Sequence, residues 1–371
     1  MTEASQLMAL VALLAFALAA VFGGVAHRVN FCTMGAVTDI ANFGDWRRMR
    51  MWLLAIATAI VGTTILTALG IIDIRKTIYT PAQVPWLSCA VGGALFGFGM
   101  TLASGCGSKT LLRVGAGNLK SLIVMLFLGL SAYMTLRGFL APPRANFFDT
   151  FRLDLSPLGV ASSDLGTVGS ALGIPAAARW LPFVVAAAIG AFVLANRDCR
   201  ASRERIIGGL VIGLVIVGGW YISGHIGYLA EDPRTLEEKF VATNSGRMES
   251  YSFTAPVAYL IELLMFWTDT SRIVTFGIAG VLGLIAGATF VALITRTFRW
   301  EGFANIEDLG NHIVGGILMG FGGVTALGCT IGQGLTGMST LAVGSIITFA
   351  SIIAGCLAAV RYQMWRIERT T

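Results

Sequence analysis

Apolar runs of about 17–22 residues recur along the chain, each bounded by short polar stretches in which arginine and lysine collect. Runs of that length span a bilayer as a helix, and nine are expected here: about 6–26, 51–71, 86–105, 119–139, 180–196, 206–223, 273–295, 311–328 and 340–360. A tenth stretch, 254–268, is apolar but too short to cross, and it reads as an interfacial or re-entrant helix. Arg28–Gly35 is also too short to cross, yet too apolar for a surface loop. Residues 141–178 carry Pro142-Pro143 and read as an ordered outer loop with short helical pieces.

The basic clusters give a direction. Arg47, Arg48 and Arg50 follow the first run; Lys109, Arg113 and Lys120 follow the third; Arg197, Arg200, Arg203 and Arg205 follow the fifth. Such clusters stay on the cytoplasmic side, which places the N-terminus outside and the C-terminus inside. Arg75 and Lys76, in an outer loop, run against the rule.

Composition agrees with this reading. Of the 371 residues 56% are hydrophobic and 12% charged, and the mean hydropathy is +0.77, whereas soluble domains carry roughly 25% charge. The expected class is an all-α polytopic membrane protein, about nine transmembrane helices plus short re-entrant helices, forming one integral membrane domain over 1–371. The net charge of +6 belongs to cytoplasmic loops, so no nucleic-acid partner is expected. The first run lacks a basic leader and a small-residue cleavage site, so it reads as a retained span.

An internal repeat changes the picture further. Gly92-Gly93-Ala94-Leu95-Phe96-Gly97-Phe98-Gly99 aligns without gaps on the stretch from Gly315 to Gly322, and Gly105-Cys106 falls on Gly328-Cys329. The first copy is expected to run inward and the second outward. That is an inverted repeat, with pseudo-symmetric halves of about 1–195 and 200–371, as in many transporters.

Six cysteines are present, with no CxxC pair and only three histidines. No metal site, cofactor or hydrolase triad is expected. Cys32, Cys106 and Cys329 each sit beside glycine at a break in an apolar stretch. Irregular backbone at membrane depth is tolerated where it lines a cavity, and helix N-termini starting there favour an anion. A thiol suits a polarisable sulfur-bearing anion; the alternative is that each cysteine packs as a small hydrophobe. Lys109 would add positive charge at the inner end of such a path, or serve as an ordinary cytoplasmic lysine. Gln333, one turn after Cys329, could face the same cavity or bond to backbone. Cys89 and Cys356 read as packing residues.

Phe31-Cys32-Thr33-Met34-Gly35-Ala36, Ser104-Gly105-Cys106-Gly107-Ser108 and the stretch from Gly328 to Gly337 together resemble the YeeE/YedE family of bacterial membrane proteins. The resemblance implies a thiosulfate importer of the cell inner membrane, not an enzyme. It implies that Cys32, Cys106 and Cys329 line a narrow path along which thiosulfate passes by S–H···S contacts; Gly105, Gly328, Lys109 and Gln333 are expected beside that path from their spacing to the cysteines. It also implies a TusA-like cytoplasmic sulfur carrier as a separate partner. Other readings remain: transport of another sulfur or selenium compound, or a membrane thiol enzyme that transfers sulfane sulfur through a persulfide.

Overall fold

The computed structural model describes residues 3–232, 236–269, 271–303 and 305–370. They form fifteen α-helices and two two-residue hairpins. The first set is α1 (Glu3–Arg28), α2 (Thr33–Phe43), α3 (Arg47–Ala68), α4 (Trp86–Leu102), α5 (Gly107–Gly115) and α6 (Leu119–Arg137). Short helices α7 (Ala141–Asn146) and α8 (Leu165–Ala171) lead into α9 (Ala177–Leu194) and α10 (Arg197–Ala201). The remainder is α11 (Arg203–Tyr221), α12 (Ala255–Met265), α13 (Phe276–Ile294), α14 (Ile306–Thr325) and α15 (Val343–Thr370). The hairpins pair Gln83 with Asp154 and Tyr228 with Phe240.

This is a polytopic all-α membrane fold. Among the described residues, eight segments are long and apolar enough to cross a membrane, one fewer than the nine expected. The missing one is α14. Its 20 residues rise about 30 Å, enough to cross, but Glu307, Asp308, Asn311 and His312 make its first turns polar. Lys120 pairs with Asp308 at 2.7 Å, and His312 Nδ1 bonds the Asp308 carbonyl oxygen at 2.7 Å. Two helices went unread in the sequence: α2 and α5 each follow a cysteine directly and are short.

Glycine sets how the long helices meet. α4 packs on α14 and α15, and α14 packs on α6. A Cβ on Gly97 would lie 2.0 Å from the Ile352 carbonyl oxygen, and one on Gly320 would lie 2.4 Å from that of Leu128. Backbones this close gain dispersion contact where lipid supplies no hydrophobic drive for association. α4 and α14 run antiparallel: Gly92 lies against Gly322 and Gly99 against Gly315.

Polar groups in the bundle are tied to one another. Glu262 of α12 is buried, yet it pairs with Arg272 at 2.9 Å, faces Arg137 at 3.8 Å, and accepts from the Tyr133 hydroxyl at 3.3 Å. A carboxylate so placed needs these partners to offset its lost hydration. Trp46, Trp86, Trp180 and Trp300 are exposed, as membrane-edge anchors are. Trp52, whose place near a helix start would suit the same role, is instead fully buried. It stacks between Phe31 and Phe349, with both centroid distances at 5.3 Å.

The glycine contacts generate a test. Gly97→Val should cost about 1–3 kcal/mol through overpacking, seen as a lower midpoint of thermal unfolding in detergent. Gly190→Ala, whose Cβ would meet nothing within 4 Å, should leave the midpoint unchanged or slightly raised.

Candidate functional site

Three breaks in the bundle share one local design. α1, α4 and α14 each end with a left-handed residue: Asn30 at φ 52°, Ser104 at φ 55° and Leu327 at φ 59°. In each case the next residue's N–H reaches back five positions to a carbonyl. Phe31 bonds Ala26 at 2.9 Å, Gly105 bonds Met100 at 2.8 Å, and Gly328 bonds Gly323 at 2.7 Å. The left-handed residue bonds three positions back, completing a Schellman cap that satisfies the last carbonyls. A cysteine follows immediately, in extended conformation at Cys32 and Cys106, and a new helix starts from it.

The cysteines therefore occupy N-cap positions, a place usually held by Ser, Thr, Asp or Asn. Cys32 Sγ accepts the Gly35 N–H at 3.4 Å. Cys329 Sγ accepts the N–H groups of Gly332 and Phe253, both at 3.4 Å, and lies 4.0 Å from Ser252 Oγ. Cys106 Sγ lies 3.3 Å from Ser108 Oγ. The cysteine at each start was legible in the sequence; the capping role was not. The usual Gly at the left-handed position is absent, so Gly105 and Gly328 misdirect the reading. They serve close approach instead: a Cβ on Gly105 would meet Lys109 Cγ at 3.3 Å, and one on Gly328 would meet Gln333 Cγ at 3.2 Å.

The three thiols come together. Cys32 and Cys106 interact side chain to side chain, and Cys329 lies within electrostatic reach of Cys106. All three are buried. Thr330 Oγ1 lies beside the Cys106 thiol but makes no hydrogen bond of ordinary geometry. The order is thus Cys329, Cys106, Cys32, with the positive ends of three helices turned toward the row. Lys109 stands at the Cys32 end, within electrostatic reach of Cys32 and Cys106, and donates to Asn30 Oδ1 at 2.5 Å. Arg113 donates to the Ser104 carbonyl at 2.7 Å, and Arg48 pairs with Asp39 at 3.2 Å.

Gln333 is buried and spends its amide on the backbone. Nε2 donates to the Ala326 carbonyl at 2.5 Å, while Oε1 has no hydrogen-bond partner. Cys356, also within electrostatic reach of Cys106, accepts from Thr101 Oγ1 at 3.2 Å between α15 and α4, and Cys199 packs with Leu54 and Val193.

At the Cys329 end a cavity of about 210 Å³ opens. Ser252, Leu327 and Gly328 form its floor beside the thiol, and Tyr79, Arg144, Asn244, Ser245, Glu249 and Tyr259 are among its walls. Tyr79 bridges the two, within electrostatic reach of both Cys329 and Glu249. No local pattern marks this cavity, because its lining comes from six separate stretches, near 78–79, 136, 144, 244–259, 277 and 323–328.

The membrane bundle thus holds three buried cysteines at helix breaks, with a cavity beside Cys329 and basic residues beside Cys32. Residues 28–358 match the family model described as sulphur transport, and the chain belongs to that family, the YeeE/YedE proteins. It is 26% identical over 352 residues to the thiosulfate transporter TsuA of Escherichia coli (strain K12), covering 85% of this chain and 84% of that protein. It is 29% identical over 343 residues to the thiosulfate transporter TsuA of Spirochaeta thermophila, covering 90% and 93%.

Capping makes a separable prediction. Serine also caps, so Cys32→Ser and Cys329→Ser should keep wild-type thermal stability. Cys329→Val leaves two buried N–H groups unpaired and should lose about 2 kcal/mol or more. Equal unfolding midpoints for Cys329→Ser and Cys329→Val would remove the capping role.

Proposed function

We propose that the protein takes up thiosulfate across the bacterial inner membrane, passing it from the cavity along Cys329, Cys106 and Cys32 to the cytoplasm. The observation that carries this is the convergence of buried thiols from three separate helix breaks, Cys32 against Cys106 and Cys329 within electrostatic reach of Cys106. A thiol whose sulfur accepts a backbone N–H keeps its S–H free to donate. Thiosulfate offers a terminal sulfur of high polarisability as the acceptor, so S–H···S contacts can hand it on with no lasting covalent bond. The weakness of each contact suits conduction, because a passing ion must leave each site as readily as it enters. The names of the two relatives support the substrate. The basic cluster at Lys109, Arg113 and Arg48 supports a cytoplasmic Cys32 end, with the N-terminus outside. There a TusA-like carrier is a fitting acceptor.

Reciprocal packing of Gly92 on Gly322 and Gly99 on Gly315 supports inverted halves, about 1–195 and 200–371. Gly92 aligns with Gly315 and Gly99 with Gly322, so each copy presents to the other the surface it receives.

One observation favours a second reading: the Cys32–Cys106 contact provides the neighbouring thiol that persulfide chemistry needs. A thiolate would attack the sulfane sulfur, forming Cys–S–S⁻ and releasing sulfite. Intact-mass detection of that adduct during turnover would establish it.

The test of transport is uptake of radiolabelled thiosulfate into proteoliposomes. Cys106→Ser and Cys329→Ser should each lower uptake tenfold or more at unchanged protein yield, and excess sulfate should compete poorly. Full uptake in either variant would overturn the thiol path.

A further inference from the structure

The cavity beside Cys329 holds more than an opening. Among its lining residues only two carry charge, Arg144 of α7 and Glu249 of the loop before α12. Arg144 turns toward it with a buried Nε that has no hydrogen-bond partner, and its terminal nitrogen lies 3.7 Å from Asp149. Asp149 is engaged in turn by the Ser88 hydroxyl at 2.7 Å. Glu249 Oε1 accepts the Ser245 N–H at 2.9 Å and the Ser245 hydroxyl at 2.5 Å. The Asn244 N–H is a further backbone donor to the same carboxylate, and Glu249 is part of the cavity lining. The groups facing Glu249 are Tyr79 from the loop after α3 and Tyr259 of α12, both phenols. Tyr259 in turn faces Arg144, Arg137 and Glu262. Arg247, two residues away, donates to the Thr77 carbonyl at 3.1 Å and so turns elsewhere.

The charges of this cavity do not suit a doubly charged anion as they stand. One guanidinium and one carboxylate cancel, so a dianion would enter a half-closed, low-dielectric space with two uncompensated charges, facing a carboxylate. We propose that the cavity is the loading site for a small dianion, with Arg144 as the countercharge and Glu249 as a carboxylate that must take up a proton from the outer solution before the anion binds. The proton neutralises Glu249, removes the repulsion, and gives the carboxyl an O–H that can donate. When the anion moves on toward Cys329, the carboxyl returns its proton to solvent. Burial pushes the Glu249 carboxyl above the usual carboxylate range, against the lowering by Ser245 and the Asn244 N–H. This rests on the thiosulfate reading: it assigns a charge-selecting residue to the same path.

The sign is fixed by linkage. An anion bound beside Glu249 raises its affinity for a proton, so binding weakens as pH rises, by at most tenfold per pH unit above the titration point. Thiosulfate and sulfate themselves do not change charge near neutral pH. Affinity of the purified full-length protein for radiolabelled thiosulfate, and for sulfate as an oxyanion without a terminal sulfur, should be measured from about pH 5.5 to 8. Wild-type affinity should fall by threefold or more across the range. Glu249→Gln should be flat, near the wild-type low-pH value. Arg144→Gln should bind at least tenfold more weakly at every pH and keep the slope. Ser245→Ala, which removes one donor to the carboxylate and keeps the chain's charge, should move the midpoint of the wild-type curve upward. His27, at the opposite end of the row, is the competing titratable group; a slope that persists in Glu249→Gln assigns the effect there and overturns the proposal. Thiosulfate transport with a flat wild-type profile overturns the role of Glu249 alone. A wild-type protein that neither binds nor transports thiosulfate at any pH overturns the transport reading and this inference together.

Discussion

A buried backbone must find its own hydrogen-bond partners, and every feature of the site follows from how this chain meets that demand where its helices stop. Within a bilayer no water stands ready to satisfy the last carbonyls of one helix or the first N–H groups of the next. The chain answers three times in the same way, closing α1, α4 and α14 with a reach-back bond and opening the following helix on cysteine. The thiol is a poor cap compared with a hydroxyl or carboxylate. Its presence at three such positions makes sense where the capping atom also has to meet something soft. Function and fold draw on the same atoms here, which is why mutating a cysteine to an apolar residue confuses the two.

Close helix contact does the rest. The glycines of α4 and α14 let the two antiparallel backbones touch, so the break after α4 and the break after α14 turn into the bundle from opposite ends of the pair. The polar loops contribute a different part: they carry Arg144, Tyr79 and Glu249 to the cavity beside Gly328.

Much of this was legible in advance. Apolar run length placed the long helices to within a few residues, because bilayer thickness leaves little freedom. Eight of the nine expected spans met the test of length and composition; α14 fell short because its first turns hold charges that Lys120 partners across helices, a pairing no local pattern reveals. The cysteine positions stood out through the repeat. What stayed hidden was relational. Asn30, Ser104 and Leu327 carry the left-handed turns, though only Asn is a customary residue there. Gln333 turned to the Ala326 carbonyl, which only the folded turn brings near. Trp52 looked like a membrane-edge anchor by its place at a helix start, yet the fold slides it between Phe31 and Phe349.

That aromatic stack bears on how wide the row of thiols can become. Phe31 directly precedes Cys32, Phe349 belongs to α15, and both rings lie nearly parallel to Trp52, at 12° and 15°. Three flat rings pressed face to face resist compression along their common normal and act as a strut between the first break and the last helix. On the proposed thiol path, such a brace opposes dilation around a hydrated ion. An anion that sheds its water most cheaply, one with a diffuse, weakly hydrated sulfur terminus, is the one such a path would favour.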